Sequence, residues 1–239
     1  VRNMSDAIVY AVVPAAGQGL RMGGGIPKQY LLLNGRSVLE QTLTRLAAHP
    51  RIERIVVAIA DGDLRFGALS DRLPNKVVVV PGGLERCHSV LAGLEWLSSC
   101  VPPEAWVMVH DAARPCLRAS DIDRMIRDLA ETTTGGILAA PVRDTLKRCD
   151  GDDRITETVD RRAMWHALTP QMFQLQALRM AIESALAEGI IVTDEAQAME
   201  RQGVRPKVIP GHSDNVKITH PEDLELAALI MQAQGKPRA

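Results

Sequence analysis

Residues 8–30 read IVYAVVPAAGQGLRMGGGIPKQY, and this stretch decides how the rest of the chain is interpreted. An apolar run leads directly into a loop that contains five glycines and two cations, Arg21 and Lys28. Glycines let backbone N–H groups approach an anion, and open α/β sheets bind ligands beyond the carboxyl ends of their strands. The stretch therefore predicts a phosphate-binding loop after the first strand, and its two cations favour a polyphosphate. Taken by itself, the stretch is also compatible with a solvated surface loop.

Two common phosphate-binding motifs do not fit this loop. The dinucleotide fingerprint G-x-G-x-x-G requires a glycine where Met22 stands, and the acid expected about 20 residues later is missing, since the next acid at a strand end is Asp61. The P-loop requires a lysine between a glycine and a serine or threonine, whereas Lys28 lies between Pro27 and Gln29. The loop therefore predicts neither a dinucleotide site nor a P-loop.

The composition is that of an ordinary globular protein. The 239 residues are 46% hydrophobic and 24% charged, with a net charge of -1, so an anion must be bound by a local site and a nucleic-acid partner is not expected. No apolar run approaches the roughly 20 residues of a membrane helix, and the first residues do not resemble a secretory signal. The four cysteines form no CxxC pair and the six histidines show no metal-ligand spacing. These features predict a cytoplasmic protein with reduced thiols and no membrane contact.

Short, continuously apolar runs alternate with amphipathic stretches along the chain. Continuous runs are typical of strands that are covered on both faces, so the pattern predicts one α/β domain over 1–239, with a mostly parallel sheet and helices on both faces. The predicted strands are Ile8–Val13, Arg54–Ala60, Lys76–Val80, Trp106–His110, Gly136–Pro141, Lys207–Ile209 and Asn215–Ile218. The predicted helices begin at the capping box Ser37–Glu40 and at Ser120, cover Leu175–Ala187 and Thr193–Gln202, and follow Pro221.

The segment Asp144–Asp160 breaks this alternation. It contains two polar, β-prone runs around Asp150 and Gly151, which is a strong hairpin signal. The segment has too few apolar residues for a core, and an isolated hairpin is only marginally stable in water. We therefore predict an arm at about 143–163 that packs against another surface, such as a second subunit.

Polar residues follow several other predicted strands. Asp111 and Arg114 follow the fourth strand, where a carboxylate suits a ribose hydroxyl or Mg²⁺ and an Asp–Arg ion pair or turn cap is the alternative. Gly83 and Ser89 follow the third strand, where the glycine allows close approach of the backbone and a plain turn is the alternative. Lys217 lies on the last strand, where a surface lysine is the more common interpretation.

The ordered set of motifs resembles one enzyme family over roughly residues 8–230. The segments VVPAAGQGLRMGGGIPKQY, GGLERCHSV, VHDAARP, APVRDTLKR, TVDRRAMWHALTPQ, VTDEAQAME and DNVKITHPEDL occur here in the order found in 2-C-methyl-D-erythritol 4-phosphate cytidylyltransferases. This resemblance implies a Rossmann-like nucleotidyltransferase fold with a protruding β-hairpin arm. It also implies Mg²⁺-dependent transfer of a cytidylyl group from CTP to the polyol phosphate, with release of pyrophosphate. A homodimer, in which the partner arm completes the active site, is implied as well.

The same resemblance implies a role for each matching residue. The catalytic cations correspond to Arg21, Lys28 and Lys217. The nucleotide-binding positions correspond to Pro14, Ala15, Ala16, Gly17, Gly19, Gly83, Ser89, Asp111 and Ala112. The polyol phosphate would be bound by Arg114, Thr145, Arg161, Thr169, Thr193 and Asp194. Mg²⁺ would be held mainly by the CTP phosphates, with Asp111 as a protein ligand.

Three alternatives remain open at this point. A ribitol 5-phosphate cytidylyltransferase belongs to a similar family, and the arm together with the TVDR segment would distinguish the alcohols. A guanylyltransferase of the molybdopterin type shares the glycine loop but does not match the HDAARP, RDT and TVDR segments. A non-catalytic nucleotide sensor is disfavoured by the joint presence of Arg21, Lys28, Asp111 and Lys217. Leu84 stands where some family members have an acid: if the backbone contacts the base there, little is lost, and if the side chain does, a lower affinity for the base is expected.

Overall fold

The computed structural model describes residues 8–17, 25–129 and 132–235. The strands, in chain order, are β1 (Val9–Pro14), β2 (Leu32–Leu33), β3 (Arg36–Ser37), β4 (Ile52–Ile59), β5 (Val77–Pro81), β6 (Trp106–Val109), β7 (Gly136–Pro141), β8 (Leu146–Cys149), β9 (Ile155–Val159), β10 (Trp165–Gln174) and β11 (Lys207–Pro210). The helices are α1 (Val38–Ala48), α2 (Leu64–Gly67), α3 (Arg86–Ser98), α4 (Ala119–Leu129), α5 (Leu175–Ala187), α6 (Glu195–Arg201) and α7 (Glu222–Gln234).

Within the described residues, the main sheet has seven strands in the order β11-β7-β10-β6-β1-β4-β5. Its pairings are parallel except at β10, which is antiparallel to both β6 and β7. The carboxyl ends of the parallel strands and the amino end of β10 therefore share one edge. The chain runs from β1 outward to β4 and β5 and then returns to β6 on the other side of β1. This reversal of strand order creates the crevice where open α/β sheets bind ligands.

Both faces of the sheet are covered, which explains its continuously apolar strands. One face packs against α1 and α4, and the other packs against α3, α5 and α6. Adjacent residues of β1 alternate between the two cores: Val13 belongs to the first and Val12 to the second. The predicted α/β layering is therefore confirmed.

Helix α3 lies very close to β1. A Cβ atom added to Gly93 would be 2.6 Å from Cγ1 of Val12, so a side chain at this position would push the helix away from the sheet. The first turn of α3 begins directly after the loop that follows β5. The close packing therefore sets where that loop and the start of α3 stand relative to the end of β1.

Most of the predicted elements are present. The capping box is confirmed, since the Glu40 N–H donates to Ser37 Oγ at 3.2 Å and the Ser37 N–H donates to Glu40 Oε2 at 2.8 Å. The prediction of a strand at Asn215–Ile218 is wrong, because this segment is extended without pairing in the sheet. Its Ile218 N–H instead donates to the Ala113 carbonyl at 2.9 Å in the loop after β6. The sequence patterns also missed α3 and β10, together with the short elements β2, β3 and α2.

The predicted hairpin is confirmed as the two-stranded sheet formed by β8 and β9. It extends the paired ends of β7 and β10, since the Val142 N–H donates to the Met164 carbonyl at 3.0 Å. Its side chains are largely exposed, including that of Ile155. We call residues 143–163 the arm. Among the described residues, no helix is long and apolar enough to cross a membrane.

Candidate active site

A cavity of about 660 Å³ opens at the carboxyl edge of the sheet, above the crevice between β1 and β6. The end of β1, the loop after β5, the start of α3 and the loop after β6 contribute to its walls. Its lining residues are Pro14, Ala15, Ala16, Gly17, Lys28, Gln29, Gly83, Leu84, Glu85, Arg86, Ser89, Asp111, Ala112, Ala113 and Lys217. The structure thus brings together most of the residues that the sequence predicted for nucleotide binding. Two others, Gly19 and Arg21, lie outside the described residues.

Gln29 ties the two ends of the glycine loop together. Its side-chain amide is buried and donates to the carbonyls of Ala15 at 2.8 Å and Gly17 at 2.9 Å. Gln29 belongs to a short 3₁₀ turn that begins at Lys28. The backbone of Lys28 is therefore anchored next to the end of β1. The sequence analysis gave no role to Gln29.

The loop after β4 fastens the same turn from its other side. The Tyr30 hydroxyl donates to Asp63 Oδ2 at 2.7 Å, and the Arg65 guanidinium contacts the Gly25 carbonyl at 3.3 Å. Burial and the Asp63 carboxylate together raise the pKa of the Tyr30 hydroxyl, which stays protonated as the donor. Contacts with the loop after β4 thus anchor the chain on both sides of Lys28, at Gly25 and at Tyr30.

A compact turn forms the wall of the cavity after β5. The Gly83 N–H donates to Ser89 Oγ at 3.1 Å, so the first turn of α3 holds the loop. A Cβ atom at Gly82 would be 2.6 Å from the Ala16 Cβ and 2.8 Å from Ser89 Oγ, which excludes a larger residue. Gly83 is exposed at this wall and lines the cavity with backbone groups. Leu84 is almost fully exposed at the rim.

Asp111 is the centre of a buried cluster of charges. Its Oδ1 accepts from Arg86 Nε at 3.0 Å, and its Oδ2 contacts Lys217 Nζ at 2.9 Å and Arg114 Nε at 3.4 Å. Burial alone would raise the pKa of the carboxyl. The charges of Arg86, Lys217 and Arg114 outweigh this effect and hold the pKa of Asp111 well below its usual range. The carboxylate is therefore permanently charged and orients cations at the floor of the cavity.

Arg86 joins this cluster to α6. Its two terminal nitrogens donate to the carboxylate oxygens of Glu195 at 2.6 Å and 3.1 Å. Burial lowers the pKa of Arg86, but the two carboxylates more than compensate and keep it charged. Glu195 is itself 1% exposed. The sequence analysis predicted neither residue as part of the site.

A second buried network positions the backbone of Asp111. The Asp111 N–H donates to Thr169 Oγ1 at 3.1 Å, and the same hydroxyl lies 3.0 Å from His110 Nδ1. The other ring nitrogen, Nε2, lies 3.0 Å from the Arg114 carbonyl, which can only accept, so we assign the ring proton to Nε2. Burial lowers the pKa of His110 to about 4, and the ring is neutral at pH 7. The Thr169 hydroxyl therefore donates to His110 while it accepts from Asp111.

Buried polar contacts also hold the loop that carries Lys217. The Arg114 guanidinium donates to the Asn215 carbonyl at 2.7 Å, and the Asn215 side chain donates to the Thr169 carbonyl at 2.7 Å. Asn215 is fully buried and lies two residues before Lys217. This arrangement places the Lys217 ammonium beside Asp111, at the edge where the glycine loop begins.

The motifs gathered at this cavity match one family along almost the whole chain. The family model described as IspD, 2-C-methyl-D-erythritol 4-phosphate cytidylyltransferase, matches residues 9–233. The chain belongs to this cytidylyltransferase family. A cytidylyltransferase of that name from Vibrio parahaemolyticus is 51% identical over 232 residues, which cover 97% of this chain and 98% of the relative. One from Tolumonas auensis is 52% identical over 224 residues, or 94% and 96% of the two chains.

Solved structures of cytidylyltransferases in this family share the fold. The crystal structure of Francisella tularensis 2-C-methyl-D-erythritol 4-phosphate cytidylyltransferase is 34% identical, with a TM-score of 0.80 over 94% of this chain and 100% of the other. A crystal structure of a 4-diphosphocytidyl-2C-methyl-D-erythritol synthase is 35% identical, with a TM-score of 0.83 over 94% and 98%. The nucleotidyltransferase fold predicted from the sequence is thereby confirmed.

Several residues that the family resemblance assigned to the polyol phosphate are not among the cavity-lining residues. Thr145 and Arg161 are exposed on the arm, where the Arg161 guanidinium donates to the Arg143 carbonyl. Thr193 and Asp194 cap α6, and Asp194 Oδ1 accepts the Gln197 N–H at 2.9 Å. Thr169 and Arg114 lie beneath the cavity, in the networks that hold Asp111 and Asn215. Their predicted contacts with the cytidylyltransferase substrate stay predictions.

A metal ion bound by the protein alone does not fit this site. Within residues 8–17, 25–129 and 132–235, no three His, Cys, Asp or Glu side chains form a group that could bind a metal ion. Asp111 contributes one carboxylate, whose Oδ1 contacts Arg86 and retains a further lone pair. Mg²⁺ in nucleotide enzymes is commonly held by one or two carboxylates together with substrate phosphates. The site therefore fits magnesium that arrives on a triphosphate.

Proposed function

We propose that this chain transfers the cytidylyl group of CTP to 2-C-methyl-D-erythritol 4-phosphate and releases pyrophosphate. The observation that carries this proposal is the buried Asp111 cluster, which fixes Lys217 opposite the anchored turn of Lys28 in a chain of the cytidylyltransferase family. The product would be 4-diphosphocytidyl-2-C-methyl-D-erythritol, an intermediate of isoprenoid precursor biosynthesis.

The reaction is a substitution at the α-phosphorus of CTP. A phosphate oxygen of the polyol phosphate forms the new bond to phosphorus while the bond to the β-phosphate oxygen breaks and pyrophosphate leaves. No general base is required, because a phosphate monoester is already ionised near neutral pH. Both reactants are anions, so catalysis depends on alignment and charge neutralisation. A site built from fixed cations, with the neutral His110 buried below it, suits these demands.

Different walls of the cavity suit the three parts of the nucleotide. The backbone of Gly83 and the Ser89 turn suit the cytosine ring, and Asp111 with Ala112 suits the ribose. Gly17 and Lys28 suit the triphosphate, together with Arg21 and Gly19 of the same loop. Lys217 is anchored by Asp111 and would neutralise charge at the α-phosphate.

Magnesium belongs to this proposal as part of the MgCTP substrate. Asp111 would contribute one carboxylate oxygen to the ion, and oxygens of the CTP phosphates would be further ligands. When bound, the ion would neutralise phosphate charge next to the leaving group. The residues of the chain would orient the nucleotide and exclude water around it.

We further propose a homodimer in which the arm reaches the partner's cavity. Thr145 and Arg161 are exposed on the arm, away from the cavity lining of their own chain, and a phosphate-binding arginine is expected near the acceptor substrate. Exposed apolar side chains at the base of the arm, Met164 and Trp165, provide area for such an interface. The cytoplasmic location stays a prediction.

Parallel measurements of pyrophosphate release test the proposed activity. CTP, ATP and GTP would each be combined with 2-C-methyl-D-erythritol 4-phosphate and with ribitol 5-phosphate. We expect release with CTP and the methylerythritol phosphate. Release only with ribitol 5-phosphate would reassign the alcohol, release only with GTP would reassign the nucleotide, and binding of CTP without release with either alcohol would favour a sensor.

A further inference from the structure

Glu195 is a buried carboxylate for which the proposed reaction has no direct use. It lies in the first turn of α6, on the opposite side of Arg86 from Asp111, and is 1% exposed. Both of its oxygens accept from the terminal nitrogens of Arg86, at 2.6 Å and 3.1 Å. A buried charge is costly unless it is paired, so Glu195 and Arg86 are expected to stay together. The pairing therefore fixes the orientation of the Arg86 guanidinium.

The consequence follows from how the donors of Arg86 are divided. A guanidinium prefers to grip a carboxylate with two parallel N–H groups. Here Glu195 takes both terminal nitrogens, and Asp111 receives only the Nε–H, at Oδ1. Arg86 therefore makes a single contact with Asp111. The second oxygen of Asp111 stays available to Lys217 at 2.9 Å, with Arg114 at a longer 3.4 Å.

We propose that Glu195 is a positioning residue, which holds Arg86 by its terminal nitrogens so that Asp111 keeps Lys217 at the floor of the cavity. Without the Glu195 charge, Arg86 is free to turn and grip both oxygens of Asp111. Lys217 would then lose its anchor and withdraw from the α-phosphate position. Glu195 touches no substrate in this arrangement, and it acts only through Arg86 and Asp111. The inference rests on the proposed function for the role of Lys217, but not for the contacts themselves.

Substitution of Glu195 tests this chain of contacts. Glu195→Gln keeps the size of the side chain and one acceptor oxygen but removes the charge. We expect kcat for pyrophosphate release to fall about tenfold or more, with a smaller change in KM for CTP. Glu188→Gln is the matched control, because Glu188, at the C-cap of α5, is an exposed carboxylate that also pairs with an arginine, Arg201 of α6. The control should leave kcat unchanged.

A double-mutant comparison separates positioning from a merely structural role. In a Lys217→Ala background, Asp111 has no Lys217 ammonium to hold. Adding Glu195→Gln to that background should therefore lower kcat by less than a further factor of two. An equal fold-loss in both backgrounds would overturn the proposal. A loss of unfolding free energy with kcat unchanged would overturn it as well.

A second variant and a structure keep the test independent of folding and of activity. Glu195→Asp keeps the charge, so it preserves the buried pair, but it is too short to reach both nitrogens, and we expect an intermediate loss of kcat. In a crystal structure of Glu195→Gln, Arg86 should contact both Asp111 oxygens, and Lys217 Nζ should lie beyond about 4 Å from them. An unchanged Lys217–Asp111 contact would refute the proposal even if the wild-type protein proved to use another substrate.

Discussion

The floor of the cavity and the arm are both rich in charged residues, but they hold those charges differently. At the floor, Asp111 and Glu195 are buried and each contacts an arginine of the same cluster. On the arm, the pair of Arg148 with Glu157 is exposed on both sides, as is the pair of Arg162 with Asp160. Exposed pairs contribute little to stability and do not fix a position, whereas removing one member of a desolvated network leaves a buried charge unpaired at a large cost in free energy. The buried contacts therefore hold the floor of the cavity in place within one chain, whereas the proposed homodimer would hold the arm against a second surface.

The largest effect is expected when the buried network is broken at its centre. Asp111→Ala leaves Arg86, Arg114 and Lys217 without their shared anion, so unfolding free energy should fall by about 3 kcal/mol or more and activity should be lost. Denaturant unfolding and pyrophosphate release would measure both quantities. Unchanged stability would show that the cluster is solvated and that the contrast with the arm is wrong.

The pH dependence of stability tests the buried network of His110 and Thr169 that lies beneath Asp111. Burial lowers the pKa of His110 to about 4, against about 6.5 in an unfolded chain, so the unfolded state binds more protons between these values. The contribution of His110 is present above pH 6.5 and is lost as the pH falls towards 4, by up to about 3 kcal/mol. Denaturant unfolding from pH 7 to 4.5 should show this slope. His110→Gln should flatten it, and an equal slope in both proteins would contradict the assignment.

Substitution of Lys28 is expected to change turnover but not the free energy of unfolding. Its side chain is partly exposed at the cavity wall, so Lys28→Ala should leave unfolding free energy unchanged and reduce kcat by about 10²-fold or more, as expected for a transition-state donor. Steady-state kinetics with saturating CTP would measure this loss. Unchanged turnover would remove Lys28 from the catalytic group.

Arg161 tests the arm as a substrate-binding element. Arg161→Ala should raise KM for the alcohol phosphate about tenfold, the effect of one charge-assisted hydrogen bond, while the KM for CTP stays the same. Initial-rate measurements with each substrate varied in turn would separate the two constants. Equal weakening of both substrates would argue against a contact specific to the acceptor.

The smallest effect is expected at the tip of the arm. Arg148→Ala removes the exposed pair with Glu157 and should change neither stability nor turnover measurably. Sedimentation at several concentrations would accompany the kinetics. A clear loss of a dimer in this variant would show that the tip, and not only the base of the arm, belongs to the interface.

Sequence patterns predicted those elements whose apolar pattern is strong and local. They missed β10, because Pro170 lies inside it and proline normally argues against a central strand. The structure accommodates Pro170 with an irregular register between Ala167 and Gln171. They also missed α3, which has Glu85 at its N-cap in place of serine, threonine, asparagine or aspartate.

The candidate site divides in a similar way. Lys28, Ser89, Asp111 and Lys217 were predicted because each belongs to a recognisable sequence motif, although the strand predicted around Lys217 is absent. The pairing of Arg86 with Glu195 was not, since 109 positions separate them and no local pattern relates them. Such contacts depend on how α3 and α6 pack on the same face of the sheet, which only the tertiary structure reveals.

Gly93 gives this packing a wider consequence. The cavity wall after β5 and the Arg86 cluster both depend on α3, and the absence of a side chain at Gly93 lets this helix lie close to β1. Gly93→Ala would push α3 away from β1. Ser89 and Arg86 lie about one and two turns before Gly93 on the same helix, so both would move together. A substitution at Gly93 would therefore disturb the cavity from a position that does not line it.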